Sequence, residues 1–251
     1  MSELTAKATA LLRMHDDFVL LPTVWDAWSA RAVVDAGFAA ISIGSNPLAA
    51  SRGQQDGEDM TLDDALDGIA RITSAVEVPV SADMESGYDT APAELIERLL
   101  EAGAVGLNVE DTVHSEGRMR DPQEHADYIA GLRAAADASG VDVVINARTD
   151  AFVRPELHGA DPVEQAVLRM QLAEQAGARA LYPVKAPDPA ALGAVLEAVS
   201  LPVNVVAHPQ DGSAVGKLEA MRAMGVRRVT FGPMLQKALA ASMTELVQPW
   251  R

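Results

Sequence analysis

Short apolar segments alternate with longer amphipathic segments along almost the whole chain. The short segments have the length and the Val, Ile and Leu content of buried strands, and the longer ones have a helical period. The pattern predicts strands at 18–21, 39–43, 78–82, 105–109, 141–146, 180–183, 202–206 and 228–231. It predicts helices at 2–15, 28–36, 62–75, 93–101, 122–138, 162–175, 189–199, 215–224 and 236–247.

The ends of the predicted helices carry recurrent residues that support these assignments. A glycine suits the left-handed residue that closes a helix, and it follows several of them, at Gly37, Gly103, Gly177 and Gly225. An Asp-Pro pair supplies a cap and a first-turn proline, and the aspartates are Asp121, Asp161 and Asp188.

The order of elements is eight strand-then-helix units after an initial helix. Strands joined by crossover helices run parallel, and eight of them close into a (β/α)8 barrel. An open, doubly wound sheet is the alternative, but the even spacing and the lack of a glycine-rich dinucleotide turn favour the barrel. No domain boundary is visible, so we expect a single domain over residues 1–251.

Composition and charge narrow the possible partners. The net charge is −16, from 20 basic and 36 acidic residues. This balance argues against nucleic acid or an anionic membrane as a partner. The chain has no cysteine, which excludes disulfides, thiolate metal sites and cysteine nucleophiles. No apolar run approaches the ~20 residues of a membrane helix, and no signal peptide is seen, so we expect a cytoplasmic protein.

Two carboxylates follow the third predicted strand, at Asp83 and Glu85. Alternate residues of a strand share a face, so both acids point the same way. Crowded acids repel and favour a cation or a shared proton. Oxygen ligands of this kind suit Mg²⁺ or Mn²⁺. The alternative is a solvated loop in which two acids happen to be neighbours.

Polar residues follow the other predicted strands as well. In a barrel the carboxyl ends of the strands form one mouth, where active sites lie. The residues expected there are Trp25, Asp26, Gly44, Ser45, Asn46, Asp56, Glu58, Asp59, Asp83, Glu85, Asn108, Glu110, Asp111, Asn146, Arg148, Thr149, Asp150, Tyr182, Lys185, Asn204, His208, Gly232 and Pro233. Acids from successive units and one arginine therefore converge. Asp26 and Asp150 also fit as helix caps or as partners of arginines. Asn204 also fits as a structural amide, His208 as a plain loop histidine and Lys185 as a solvated side chain.

Several stretches resemble one known superfamily when they are taken together. They are residues 49–57, Asp83–Tyr88, 108–111 and 146–151. The chain is similar to the isocitrate lyase/phosphoenolpyruvate mutase superfamily, especially its short phosphonomutase-like branch. The resemblance implies a Mg²⁺-dependent barrel that acts on small 2-oxo carboxylic acids. It also implies a homo-oligomer, a dimer or a tetramer, in which the C-terminal helix is often exchanged.

Residue roles follow from the resemblance position by position. Asp83 matches the main metal-binding aspartate and Glu110 the glutamate of the metal shell, while Glu85 stands where the family usually has a second aspartate. Asp56 matches the loop aspartate that reaches the metal water or the substrate, and Arg148 the arginine that holds the substrate. The turn that receives the carboxylate is matched at Gly44, Ser45 and Asn46, with Trp25 and Asn204 as further candidate substrate contacts.

The loop after the fourth strand departs from the family. The lyases carry a cysteine there and the mutases a Lys and Asn-Ser pattern, whereas residues 112–120 have neither. Cleavage of isocitrate by a thiol acid and true phosphoenolpyruvate mutation are therefore both disfavoured. Tyr88, His114 and His208 are the candidate proton donors, and the sequence does not choose among them.

We therefore expect a Mg²⁺-dependent lyase that cleaves or forms a C–C bond beside the carbonyl of a small 2-oxo acid through an enolate. Decarboxylation of an oxaloacetate-like acid and lysis of a 2-alkylmalate are examples. One alternative is a phosphonomutase acting on a P–C bond. An alternative of another class is a barrel that binds a small carboxylate without turnover.

Overall fold

The computed structural model describes residues 2–251. Its strands are β1 (Val19–Leu21), β2 (Thr23–Val24), β3 (Ile41–Ile43), β4 (Val80–Asp83), β5 (Gly106–Val109), β6 (Thr112–Val113), β7 (Arg118–Met119), β8 (Val144–Thr149), β9 (Ala180–Pro183), β10 (Asn204–Val206) and β11 (Arg228–Thr230). Its α-helices are α1 (Glu3–Met14), α2 (Ala27–Asp35), α3 (Ser45–Ser51), α4 (Leu62–Thr73), α5 (Pro92–Glu101), α6 (Pro122–Ser139), α7 (Pro155–His158), α8 (Pro162–Gln175), α9 (Pro189–Ala198), α10 (Leu218–Met224) and α11 (Met234–Val247).

The parallel strands close into a barrel. One run of hydrogen-bonded neighbours is β2-β3-β4-β5-β8-β9 and the other is β1-β11-β10. A parallel bridge between Leu181 and Val203 joins β9 to β10. Pro22 separates β1 from β2, and these two short strands together form the first strand of the barrel, which pairs with β11 on one side and β3 on the other. The predicted (β/α)8 class is confirmed.

The helix ends behave as the sequence predicts. Asp161 accepts hydrogen bonds from the backbone N–H groups of Val163 and Glu164, and Asp188 accepts one from Ala191. The glycines after the helices all have left-handed backbone angles, at Gly37, Gly103, Gly177 and Gly225. Local sequence is therefore sufficient to stop and start these helices.

Polar side chains lie inside the barrel below the mouth. Arg228 is fully buried and donates from Nη2 to Ser81 Oγ at 3.0 Å and to Asn108 Oδ1 at 3.3 Å. Asn146 donates to the same Asn108 oxygen at 2.7 Å. Asn204 is also buried and donates to Thr230. These bonds join β4, β5, β8, β10 and β11 across the barrel and hold the strand ends in register.

Three features were not predicted. Helix α3 begins immediately after β3, the short helix α7 follows β8, and β6 and β7 form an antiparallel hairpin. The hairpin falls within the loop after β5 and carries a 3-10 turn, His114–Glu116. All three lie at the carboxyl end of the barrel, where they shape the mouth. Over residues 2–251, no helix combines the length and the apolar character that crossing a membrane needs.

Candidate active site at the barrel mouth

A cavity of about 240 Å³ opens at the carboxyl ends of the strands. Its walls come from the ends of β3, β4, β8, β9 and β10, from α3 and from the start of α11. The residues that line it are Gly44, Ser45, Asn46, Pro47, Asp56, Asp83, Arg148, Tyr182, Val184, Lys185, Val206, Gly232, Pro233, Met234 and Lys237. Acidic, basic and amide groups thus share one small space.

Asp83 is the last residue of β4 and lines this cavity. One carboxylate oxygen, Oδ1, accepts the backbone N–H of Glu85 at 3.2 Å. The other, Oδ2, lies 3.9 Å from Nη1 of Arg148, which is beyond hydrogen-bond distance. Burial raises the pKa of Asp83, and the charge of Arg148 opposes that rise. Asp83 therefore presents a carboxylate oxygen that is largely free to bind a cation.

Arg148 lies next to Asp83 at the end of β8 and is held by two other acids. Its Nη1 is 2.5 Å from Oε2 of Glu110, and its Nε donates to Oδ1 of Asp150 at 2.8 Å. The ion pair with Glu110 and the charge-assisted hydrogen bond to Asp150 hold the guanidinium in place. Much of the charge of Arg148 is consequently neutralised before any substrate binds.

Glu85 is buried and has an unusual backbone conformation, with φ of 48°. Its Oε2 accepts the backbone N–H groups of Gly57 and Glu58 at 2.9 and 2.6 Å. The hydroxyl of Tyr88 donates to Oε1 at 2.9 Å. Burial, with repulsion from Asp56 and Asp83, raises the pKa of Glu85 to about 7. Glu85 thus joins the loop after β4 to the loop before α4.

Glu58 makes the reciprocal connection between the same two loops. Its Oε1 accepts the backbone N–H and the hydroxyl of Ser86 at 3.1 and 2.6 Å, and the backbone N–H of Tyr88 at 3.0 Å. Glu58 and Tyr88 both have positive φ angles. Such conformations persist only when the surroundings hold them, and they cluster at functional sites.

Asp56 closes one side of the cavity. It accepts the hydroxyl of Ser45 at 2.9 Å and the amide of Asn46 at 3.3 Å, the first two residues of α3. Gly44 precedes them, and a Cβ there would lie 2.8 Å from the methyl group of Thr23. Only glycine therefore allows the chain to pass this close to β2. The structure brings Gly44, Ser45, Asn46 and Asp56 together, as predicted.

His114 lies on the β6–β7 hairpin and reaches the acid set. Its Nε2 is 2.6 Å from Oε1 of Glu110 and 3.9 Å from Oε2 of Glu85. The hydrogen bond to Glu110 raises the pKa of His114 to about 9, so the ring carries a proton at neutral pH. Burial raises the pKa of Glu110 against the opposing charge of Arg148. The hairpin is thereby tied to the carboxylates.

Asp111 and Asp150 brace the ends of β5 and β8. Asp111 accepts from the hydroxyl of Thr149 at 2.6 Å, from the backbone N–H of Asp150 at 2.8 Å and from Nη1 of Arg169 at 3.1 Å. Asp150 in turn accepts from Thr112 on the hairpin. Asp150 therefore pairs with arginine, one of the roles that its position suggested.

The donor set suits a hard divalent cation in its chemistry and charge. Three buried or nearly buried carboxylates, Asp83, Glu85 and Glu110, face one guanidinium and one imidazolium. Over residues 2–251 no group of three acids or histidines is arranged around a single ion position. Glu85 and Glu110 already accept hydrogen bonds, so Asp83 is the carboxylate that best fits direct contact with such an ion.

Other predicted site residues lie outside this cavity. Trp25 lines an apolar groove between α2 and α11, and Asn204 lies within the barrel. His208 lines a second cavity of about 330 Å³ beside the first and is 3.0 Å from Asp211. Tyr88 is bonded to Glu85 and does not line the cavity. The structure therefore brings Tyr88 to the acid set, but it does not bring Trp25, Asn204 or His208 there.

Sequence reasoning missed several groups that do line the cavity. Lys237 and Met234 come from the first turn of α11, far along the chain from the acids. Tyr182 was placed at the end of its strand but without a role; its ring lies 6.0 Å from the guanidinium of Arg148. No local pattern singles out a residue of α11, since only the closure of the barrel brings that helix to the mouth.

Comparison with known proteins identifies the family of this chain. The family model described as phosphoenolpyruvate phosphomutase matches residues 9–249. The 2-methylisocitrate lyase of Escherichia coli K12 is 32% identical over 67% of this chain and 58% of its own length. An oxaloacetate decarboxylase of Rhodopseudomonas palustris BisB18 is 31% identical over 80% of this chain and 70% of its own length.

Solved structures of other proteins superpose on nearly the whole of this chain. A Burkholderia cenocepacia J2315 protein, provisionally named a phosphonomutase, is 37% identical with a TM-score of 0.86, covering 96% of this chain and 99% of that one. A 2,3-dimethylmalate lyase is 27% identical with a TM-score of 0.83, covering 97% and 87%. With the barrel, the acid set at its mouth and a match over residues 9–249, the chain belongs to the phosphoenolpyruvate phosphomutase family, within the isocitrate lyase/PEP mutase superfamily.

Proposed function

We propose that this protein is a Mg²⁺-dependent carbon–carbon lyase acting on a small 2-oxo carboxylic acid. One observation carries the proposal: Asp83 presents a free carboxylate oxygen at a cavity of about 240 Å³, 3.9 Å from a fixed guanidinium. Because a carboxylate and a guanidinium lie so close together, the site favours a substrate that has a carbonyl group next to a carboxylate. Relatives named as decarboxylase and lyase support this reaction class.

The residues present fit a divalent metal at Asp83, with Glu85 and Glu110 behind it. Mg²⁺, or Mn²⁺ in its place, supplies a Lewis acid that stabilises negative charge on a carbonyl oxygen. The protein residues supply the rest. Arg148 is immobilised by Glu110 and Asp150, so its charge needs no reorganisation during bond cleavage.

The chain also orients the substrate and supplies a proton. Ser45 and Asn46 offer a hydroxyl and an amide at the cavity wall, beside Asp56. Tyr88 and His114 both contact the acid set and both carry a proton at neutral pH, whereas His208 lies at the second cavity. Burial raises the pKa of Tyr88 far above neutral, so its phenol releases a proton less readily than the imidazolium of His114. We therefore assign to His114 the delivery of a proton to the enolate carbon.

A phosphonomutase is the second candidate, because Asp56 lines the cavity and is placed to contact a transferred phosphoryl group. The two reactions give different products. A lyase releases two fragments, whereas the mutase isomerises its substrate, and ³¹P NMR with phosphonopyruvate distinguishes them.

The test is a turnover assay with Mg²⁺ across oxaloacetate, 2-alkylmalates and phosphonopyruvate. We expect cleavage of at least one C–C substrate, loss of activity with EDTA and a fall of about 10²–10³-fold in Asp83→Ala, as for removal of a group that stabilises developing charge. Asp17→Ala is the matched control, because Asp17 is exposed and lies outside the cavity. Binding of these acids without turnover would instead support the carboxylate-binding barrel.

We also propose that the enzyme assembles through α11 and the groove beside it. No residue of α11 is buried, and Leu239, Met243 and Leu246 are 40%, 65% and 74% exposed. Between residues 238 and 247 the only charged residue is Glu245. On a chain of net charge −16, this uncharged apolar face suits a second copy of the same chain.

A further inference from the structure

Lysine is rare in this protein and is concentrated at the cavity. The chain has lysines only at positions 7, 185, 217 and 237. Two of them, Lys185 and Lys237, line the cavity that contains Asp83 and Arg148. Lys7 pairs with Glu3 on α1, whereas neither cavity lysine forms a salt bridge with any acid in residues 2–251. Two uncommitted positive charges therefore lie at the mouth.

The positive charge of Arg148 alone does not balance the acids of the cavity. Its guanidinium lies 2.5 Å from Glu110 and 2.8 Å from Asp150, so two carboxylates already share it. Asp56 and Asp83 add two more acids to the cavity wall. A substrate with a second carboxylate would meet a surplus of negative charge unless a further cation faced it. Lys185 and Lys237 are the remaining basic residues among those that line the cavity.

The backbone conformation of Lys185 indicates that the surrounding structure holds this residue in place. Lys185 follows β9 with φ of 57°, a left-handed conformation that non-glycine residues seldom adopt. Such a conformation is kept where the surroundings demand it. Lys185 also borders the second cavity of about 330 Å³, so it stands between the two spaces.

Lys237 is positioned by a tether in the first turn of α11. The neighbouring Gln236 donates from Nε2 to the backbone oxygen of Pro47 on α3 at 2.9 Å. The bond joins the start of α11 to the helix that carries Ser45 and Asn46. Lys237 is therefore held at the cavity wall beside α3.

We propose that Lys185 and Lys237 bind the second carboxylate of a dicarboxylic substrate, whose 2-oxo acid end lies at Asp83 and Arg148. This assignment rests on the proposed function, and it names these two lysines as the residues that select a substrate with a second carboxylate. A pair of ammonium groups also offsets, at short range, the repulsion that a chain of charge −16 exerts on a dianion.

The experiment is calorimetric binding in the presence of Mg²⁺, which requires no turnover. The probes are 2-oxoglutarate and 2-oxopentanoate, which share the 2-oxo acid end and the five-carbon chain but differ in the second carboxylate. The variants are Lys185→Met and Lys237→Met, which keep side-chain length and remove charge. For partly exposed ion pairs we expect each variant to weaken 2-oxoglutarate binding about fivefold, with 2-oxopentanoate unchanged.

Controls separate a charge effect from a structural one. Lys185→Arg and Lys237→Arg are expected to restore discrimination, and Lys217→Met to leave both affinities unchanged, because Lys217 is exposed and lines neither cavity. Equal weakening of both probes, unchanged discrimination in both Met variants, or no preference of the wild type for 2-oxoglutarate would overturn the assignment. None of these outcomes depends on catalysis, so failure of this assignment and failure of the proposed lyase activity are distinguishable.

Discussion

Asp83 differs from the neighbouring acids because one of its carboxylate oxygens accepts no hydrogen bond although the side chain is largely buried. Glu85 is bonded to two backbone N–H groups and a phenol, and Glu110 to Arg148 and His114. Asp83 accepts one backbone N–H and leaves Oδ2 without a hydrogen bond in residues 2–251. A buried carboxylate in this state is destabilising unless a cation binds, since burial disfavours the charged form.

Magnesium is therefore expected to stabilise the wild-type protein against heat. At 100 times its Kd, a bound ion adds about 2.7 kcal/mol to the free energy of unfolding. Asp83→Asn removes the direct ligand and one crowded charge, so we expect its melting temperature without Mg²⁺ to equal or exceed that of the wild type. Differential scanning calorimetry with and without Mg²⁺ measures both effects. A Mg²⁺ shift that survives in Asp83→Asn would place the ion elsewhere.

Asp111 and Arg169 make a different kind of contribution, to stability. Both are almost fully buried and pair at 3.1 Å, and Asp111 also accepts from Thr149 and from the backbone of Asp150. Removing one partner leaves an unpaired buried charge, which costs about 3–5 kcal/mol. We expect Asp111→Ala to lower the free energy of unfolding by that amount in urea. The double variant Asp111→Leu/Arg169→Met is expected to lose less, and an equal loss would contradict the ion-pair explanation.

At the scale of elements, the mouth is built from three connections between loops. Glu85 and Glu58 join the loop after β4 to the loop before α4, and His114 ties the β6–β7 hairpin to Glu110. The strands themselves follow from local apolar patterns. The hairpin, α3 and α7 are short, and their existence depends on contacts with distant segments, which explains why the sequence pattern did not predict them.

Helix α11 is the element whose role depends on association. Leu235, Leu239, Met243 and Leu246 lie at helical spacing in its sequence, and without a partner these residues remain exposed or half-buried. Replacing Met243 and Leu246 by glutamate puts charge on the apolar face. We expect the double variant to reduce the mass measured by light scattering, whereas Glu97→Lys, at an exposed position of α5, is expected to leave it unchanged. A wild-type monomer would refute assembly through this face.

At the scale of the whole molecule, buried neutral histidines couple stability to pH. His15 is 2% exposed at the end of α1, and its Nδ1 lies 2.8 Å from the backbone oxygen of Leu11. Burial, with the nearby charge of Arg228, lowers the pKa of His15 to about 4. In the unfolded chain His15 is protonated near pH 6.5, whereas in the folded chain it is protonated only near pH 4. Stability from this residue is thus complete above pH 6.5 and is lost as the pH falls.

His15→Gln is expected to abolish that part of the pH dependence. Between pH 6.5 and pH 4 the free energy of unfolding of the wild type falls because of His15, and the variant lacks this part of the fall. The difference between the two proteins is expected to reach about 3 kcal/mol, which follows from the lowering of the pKa from 6.5 to about 4. The acids with raised pKa at the mouth have the opposite sign, but they are common to both proteins and cancel in the comparison. Urea unfolding at several pH values measures the difference, and parallel curves would contradict the assignment.

The sequence alone determined the barrel, its helix ends and the chemical character of the mouth, because these depend on local periodicity, capping and the alternation of side chains along a strand. It also brought Asp83, Glu85, Glu110, Asp56 and Arg148 to one region, since parallel strands share a carboxyl edge. Only the tertiary structure decided which acid is free, that Arg148 is neutralised, that Trp25, Asn204 and His208 lie apart, and that Lys237 reaches the cavity. Those outcomes depend on distances between segments far apart in the chain, which barrel closure sets and local sequence does not encode.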